Sequence, residues 1–351
     1  MIKISISDIW NNIWPYLIAV LLFLILIIIH EFGHFIAAKS VGVKVNEFAV
    51  GFGPKLFSKQ KGETLYRFNL IPLGGYCAME GEDENSEDNR AFCNKSPLKR
   101  FIVVVMGATF NILLGFILIG ITLLPQKTFT TTTVAGFYEN SVSESTGLKV
   151  GDKILYVDGR KIFTTYDLSY SFTNVENGKV DMKVLRDGKK VNLKDVAFDT
   201  EKDNDITYLK VDFYVEGQKK NAWTFISETF KTSVSNCLVV WRSLIDLLSG
   251  KYGISAMSGP VGVTVAISSV AKQSLKSLIP IMALITFNLG LFNLLPFPAL
   301  DGGRLLFIIV EMITKKKIPQ KYESLINVIG FALLISFMML ITAKDIWGLI
   351  K

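Results

Sequence analysis

Residues 9–39 read IWNNIWPYLIAVLLFLILIIIHEFGHFIAAK, and this stretch decides the fold. From 9 to 29 it carries no charged residue, enough to meet the roughly 20 residues that cross a hydrocarbon core as a helix. It is too long and too rich in Ile and Leu for a cleaved signal peptide, and no small-residue cleavage site follows it. The helix is expected to be retained and to continue through His30 to about Ala38. Near its end stand His30, Glu31, Phe32, Gly33 and His34, the H-E-x-x-H spacing. Residues four apart share a helix face, so both imidazoles can reach one metal ion while Glu31 projects beside it. An ionisable trio inside an apolar helix is costly unless paired or metal-bound, which marks a functional site.

His30 and His34 are the whole histidine supply of the chain. A three-histidine zinc site is therefore excluded, and a Ser-His-Asp triad would have to draw on this pair. Two histidines placed at random would fall four apart roughly 0.6% of the time, so the spacing itself carries information. Cys77, Cys93 and Cys237 form no CxxC pair and give neither a disulfide framework nor a thiolate zinc site. A catalytic zinc keeps three protein ligands and a water. The third is expected to be an acid or Cys near another membrane span, at matching depth. Asp301, at the end of a later apolar run, meets that requirement; Glu311, ten residues further on, is the weaker rival.

The composition agrees with a membrane protein. Of 351 residues, 50% are hydrophobic and only 20% charged, against about 25% charged in a soluble chain, and the mean hydropathy is +0.38. A plain soluble enzyme is excluded. Four uncharged runs, 9–29, 101–126, 277–300 and 324–343, predict four transmembrane helices. The Lys and Arg behind the net charge of +7 are spread along the chain and flank these runs, which reads as membrane orientation rather than nucleic-acid binding. Lys39, Lys44, Lys55, Lys95, Lys99, Arg100, Arg304, Lys315, Lys316, Lys317 and Lys321 gather on one side, expected to be cytoplasmic. Both termini and the 128–276 region are then expected outside the cytoplasm. In that topology the first and third spans run the same way, which brings the H-E-x-x-H motif and Asp301 to one depth.

Between the spans the character changes. Residues 128–217 are charged, with short alternating runs and turn pairs at Asp158-Gly159 and Asp187-Gly188. The run from Ser145 to Ile154, followed by Val157-Asp158-Gly159, resembles the PDZ family, whose members bind an extended peptide or chain end at a sheet edge. Residues 223–248 have apolar positions at helical spacing and predict an amphipathic helix, either on the outer membrane surface or packed on the PDZ-like domain. Residues 43–77 alternate and predict short strands or a β-loop dipping toward the membrane. The run 80–88 reads as a solvated acidic loop. Residues 254–271, uncharged but broken at Gly259-Pro260, read as interfacial or re-entrant rather than spanning. The expected organisation is a membrane core at 1–127, the PDZ-like domain at 128–217, an amphipathic or interfacial segment at 218–276, and a second membrane core at 277–351.

Pro296 and Pro298 cannot continue a helix, and irregular backbone inside a membrane is tolerated where it is protein-buried or lines a wet cavity. Asn293, one turn earlier, offers both donor and acceptor to an extended substrate. Asn288 and Asn111 read either as substrate contacts or as interhelical hydrogen-bond glue, with glue favoured for Asn111.

Taken together, HEFGH, Gly107-Ala108-Thr109-Phe110-Asn111, Ser258-Gly259-Pro260 and the run from Asn293 to Gly302 resemble the site-2 protease family of intramembrane zinc metalloproteases, in its bacterial branch with one PDZ domain. The resemblance covers nearly the whole chain. It implies a multi-pass α-helical membrane protein with an extracytoplasmic PDZ-like α+β domain and a membrane-associated β-loop near the substrate path. It implies Zn2+ on His30, His34 and Asp301, Glu31 as catalytic base, and Asn293 with the Pro296–Pro298 segment on the substrate. The implied substrates are single-span membrane proteins, such as anti-sigma factors or remnant signal peptides, already trimmed by another protease. The implied location is the cell membrane of a bacterium, in contact with the lipid bilayer and with no nucleic acid. A zinc transporter or sensor, and a membrane-anchored PDZ scaffold, are the alternatives.

Overall fold

The computed structural model describes residues 6–82, 84–203, 206–251 and 257–350. The chain opens with helix α1 (Ile6–Ser40), a hairpin of β1 (Val45–Lys61) and β2 (Thr64–Met79), and helix α2 (Pro97–Leu123). Then follow β3 (Thr128–Phe137), α3 (Val142–Ser145), β4 (Lys153–Val157), β5 (Arg160–Lys161), α4 (Thr165–Ser171), β6 (Lys179–Arg186), β7 (Lys189–Ala197), β8 (Thr200–Asp203), β9 (Ile206–Leu209) and β10 (Phe213–Lys219). Helices α5 (Ala222–Leu248), α6 (Pro260–Gln273), α7 (Leu278–Asn293), α8 (Asp301–Thr314) and α9 (Gln320–Ile350) complete it. Two compact units result: residues up to Leu118 with those from Asp246 onward, and Ile119–Ile245 between them.

In the first unit, helical stretches Ile13–Ser40, Pro97–Leu123, Leu275–Asn293 and Lys321–Ile350 are long and apolar enough to cross a membrane. They coincide with the four uncharged runs except at one end. The third uncharged run extends to 300, but α7 stops at Asn293, ahead of the two prolines expected to break it. Proline has no N–H to donate and its ring crowds the preceding turn, so with Pro296 and Pro298 the chain leaves the helix. It closes instead through short turns, Leu295 N donating to Phe292 O at 3.0 Å and Leu300 N to Phe297 O at 3.2 Å. Asp301 consequently does not end a span; it opens α8. Helix α6, with 14 residues, is about 21 Å long and falls short of a roughly 30 Å core. Residues 254–256 of the stretch expected to be re-entrant lie outside the described residues. Ile267 and Ala271 of α6 bury against Ala19 of α1 and Leu278 of α7.

The main core of this unit joins Ala37 and Ala38 at the end of α1, Val45 of β1, Cys77 and Met79 of β2, Val103 and Val104 of α2, and Leu305 and Ile308 of α8. The β-loop expected over 43–77 is this hairpin. Its ladder is doubled: Phe48 pairs with both Cys77 and Tyr66, and Val50 with both Gly75 and Phe68. The end of β2 is thereby held against α1, over the H-E-x-x-H turn.

The second unit is a sheet of order β10-β3-β4-β6-β7, with β5 on β4, and a separate β8–β9 hairpin. The expected turn pairs are confirmed by backbone angles that most residues avoid: φ is +45° at Asp158 and +73° at Gly159, and +49° at Asp187 and +76° at Gly188. The core includes Val134, Leu148, Ile154, Val157, Val184 and Phe213. Helix α5 has its polar side inward. Ser233 and Ser235 are fully buried, whereas Trp223, Ile226, Phe230 and Trp241 are exposed. Ser235 Oγ lies 2.9 Å from Thr164 Oγ1, and Arg242 pairs with Asp167 at 3.2 Å. These bonds pack α5 on the inserted unit, one of the two placements expected for it, and leave its apolar stripe facing outward.

Candidate metal centre

Helices α1 and α2 run antiparallel and touch at glycines. A Cβ on Gly33 would overlap the Met106 carbonyl, and one on Gly107 would overlap the His34 imidazole. Without those side chains α2 lies directly beside the motif, and three of its residues, each one turn apart, meet it in register. The Val103 carbonyl is 2.9 Å from His34 Nδ1, Gly107 lies against His34 Nε2, and the Asn111 amide is 3.1 Å from His30 Nδ1. The carbonyl can only accept, so His34 Nδ1 is the protonated nitrogen and Nε2 presents a lone pair.

From the other side α8 delivers Asp301 as its first residue. The tight turn before it needs glycine: a Cβ on Gly303 would come within 2.5 Å of the Phe297 carbonyl. Asp301 Oδ2 then lies 3.1 Å from His30 Nε2 and 3.2 Å from His34 Nε2, and the two Nε2 atoms are 3.2 Å apart.

A near-equilateral triangle of buried acceptors repels itself unless a cation sits among them. Asp301 Oδ2 has no hydrogen-bond donor among the described residues, as expected if both Nε2 atoms offer lone pairs. For tetrahedral zinc with ligands at 2.0–2.1 Å, ligand atoms are separated by about 3.3 Å. The observed edges fit that ion, and two imidazoles with one carboxylate are a donor set zinc accepts. Among the described residues this is the one cluster of three such groups that could share a metal.

The triangle opens on a cavity of about 640 Å³, lined by His30, Glu31, His34 and Asp301 together with Tyr76–Glu82 and Arg304. Glu31 reaches the same space as the imidazoles, and a Cβ on Gly75 of β2 would come within 3.7 Å of its Cγ. Burial, and then the carboxylates of Glu31 and Glu82, push the Cys77 thiol well up. Cys77 is not part of the cluster that could share an ion. Within that lining Glu82 is ion-paired with Arg304, one turn after Asp301 on α8; Glu82 also accepts from Met79 N at 3.2 Å. Hydrogen bonds from Asn46, Ser86 and Lys44 hold the Glu80 carboxyl down at about 2. The described residues of the run 80–88 form no helix or strand, with Glu84 and Glu87 exposed as expected of a solvated acidic loop, while Glu80 and Glu82 tie it to β1, Lys44 and α8.

The structure brings together His30, Glu31, His34 and Asp301. It does not bring Asn293, Pro296, Pro298, Asn288 or Asn111 to the cavity wall. Asn288 donates to the Leu284 carbonyl of its own helix at 3.0 Å, and Asn111 is fully enclosed between helices. Asn293 ends α7, and Pro298 packs against Gly330 of α9. The rival ligand Glu311 is engaged elsewhere, paired with Arg100 at 2.6 Å. Glu82 and Arg304, 222 residues apart, escaped sequence reading because nothing local links them.

The chain is similar to known proteins over nearly its whole length. The family model described as "Peptidase family M50" matches residues 18–337. A Clostridium perfringens protein named "putative zinc metalloprotease" is 36% identical over 330 residues, covering 93% of this chain and 97% of that protein. Proteins of the same description from Fusobacterium nucleatum and Campylobacter jejuni are 32% and 31% identical, covering 95% and 94% of this chain, and 99% and 93% of their own lengths.

Proposed function

The chain belongs to peptidase family M50, and from that premise we propose that it is an intramembrane zinc endopeptidase that cuts the membrane segments of single-span proteins. The observation that carries this reading is the triangle of His30 Nε2, His34 Nε2 and Asp301 Oδ2, 3.1–3.2 Å on each edge, with Glu31 in the same cavity. His30, Glu31 and His34 lie on a helix long and apolar enough to span a bilayer.

His30, His34 and Asp301 would hold the ion. Bound zinc supplies Lewis acidity that activates water and polarises a peptide carbonyl. The Glu31 carboxylate takes the proton from the attacking water and returns it to the leaving amine. A substrate helix hides its carbonyls in its own hydrogen bonds, so it must unwind before it can be cut. Residues 76–79 of β2 line the cavity and offer a strand against which the unwound segment can pair. Asn293 and the Pro296–Pro298 turn guide the segment on its way there.

The inserted unit is the PDZ-like module, outside the cytoplasm of a bacterial cell, and it favours substrates whose bulky outer parts another protease has removed. The outward apolar stripe of α5 (Trp223, Ile226, Phe230 and Trp241) suits a helix resting on the outer membrane surface. The test is a comparison of membrane proteomes from cells with wild-type chain and with Glu31→Gln. Single-span fragments should accumulate in the variant; identical proteomes would sink the proposal.

A further inference from the structure

Asn111 is fully buried on α2, with its amide nitrogen 3.1 Å from His30 Nδ1 and its Oδ1 without a hydrogen-bond partner among the described residues. Oriented so, the NH2 group donates to Nδ1 and drives the imidazole proton onto Nε2. That is the atom 3.1 Å from Asp301 Oδ2 and 3.2 Å from His34 Nε2, and a proton there would fill the space a metal needs. The same orientation strands a buried acceptor. A half-turn of the carboxamide exchanges oxygen and nitrogen with almost no change of shape. It puts Oδ1 on the Nδ1–H of His30 and turns the Nε2 lone pair toward Asp301. The neighbouring ligand already has this arrangement, since His34 Nδ1 donates to the Val103 carbonyl at 2.9 Å.

We propose that Asn111 is a positioning residue whose Oδ1 accepts the Nδ1–H of His30 and fixes the tautomer that offers Nε2 to zinc. Helix α2 then orients both imidazoles, one through a backbone carbonyl and the other through this side chain. A hydrogen bond of this kind holds the ring and raises its basicity as a ligand. The proposal rests on the zinc-site reading above.

With only two histidines in the chain, histidine labelled with nitrogen-15 in the ring reports both ligands separately by NMR. The full-length protein in detergent is compared with Asn111→Asp, whose carboxylate can only accept, and Asn111→Leu, which can do neither. In metal-free wild-type protein, both imidazoles should carry their proton on Nδ1. Asn111→Asp should keep that pattern and bind zinc, in competition with a chelator, at least as tightly as wild type. Asn111→Leu should move the His30 proton toward Nε2 and weaken zinc binding about ten- to a hundredfold. His34, held by Val103, should be unchanged in it, which shows the helices still packed. A wild-type His30 protonated on Nε2, or an Asn111→Leu variant with wild-type zinc affinity, overturns the proposal while leaving the zinc site intact. A wild-type chain that binds no zinc overturns the zinc-site reading and this inference with it.

Discussion

Gly107 on α2 lies so close to His34 on α1 that a single added methyl group would overlap the imidazole Nε2. The obstacle is the Nε2 atom that the proposed zinc site uses, so the contact links helix packing to that site. Gly107→Ala should displace His34 and lower zinc affinity by tenfold or more, with an overpacking cost of about 1–3 kcal/mol. Zinc competition against a chelator, beside a thermal melt, measures both; unchanged zinc affinity would contradict the close approach.

Asp301 and Glu311 lie on the same helix but differ in what they hold. Asp301→Asn should abolish stoichiometric zinc. Glu311→Gln should keep the zinc and cost about 3 kcal/mol of stability, because Arg100, whose side chain is 9% exposed, is left without its carboxylate. Metal analysis of the purified variants separates the two roles, and loss of zinc from Glu311→Gln would return it to candidacy as a ligand.

The Glu82–Arg304 pair lines the cavity and joins the loop that follows β2 to α8. Arg304→Ala and Glu82→Ala should each expose residues 84–91 to protease nicking, and the double variant should be no worse than either. Additive nicking rates would mean that the two side chains act independently.

The pH response of the same loop follows from Glu80. Its carboxyl is lowered from 4.5 to about 2 by Asn46, Ser86 and Lys44, so the charged form is favoured in the folded state. The stabilisation is complete above about pH 4.5 and is lost as the pH falls toward 2. Protection of the loop should therefore hold from pH 7 to about 4.5 and then decline toward 2, whereas Glu80→Gln should be less protected throughout and lack that decline. Wild-type protection that weakens between pH 7 and 5 would contradict the assignment.

The outward tryptophans of α5 give a further prediction. With Trp10, Trp14 and Trp347 replaced by Phe, the remaining Trp223 and Trp241 should be quenched by lipids brominated near the headgroup. Quenching no stronger than in lipid-free detergent would place the stripe away from the bilayer.

What the sequence discloses here depends on how local its signals are. The spans and the H-E-x-x-H turn were legible because scarce charge and a four-residue spacing act within one helix. That Asp301 lies beside His30 and His34 was legible from topology, but its position at the start of α8 was not. Hydropathy runs on through Leu295 and Phe297, whereas the missing donors of Pro296 and Pro298 end the helix. The amphipathic character of α5 was readable, but which face is buried was not; that depends on Thr164 and Asp167, partners 71 and 75 residues away. Glycine at 107 and asparagine at 111 acquire meaning only once α1 lies opposite them.

The central claim is that zinc and Glu31 together hydrolyse peptide bonds within the membrane. Its most direct test is cleavage of a single-span protein co-reconstituted in vesicles, by zinc-loaded wild-type chain and by Glu31→Gln, with the metal content of both measured. The expected result is one zinc per chain in each, and cleavage by the wild type alone. Equal cleavage by both, or a wild-type chain that cuts without zinc, would contradict it.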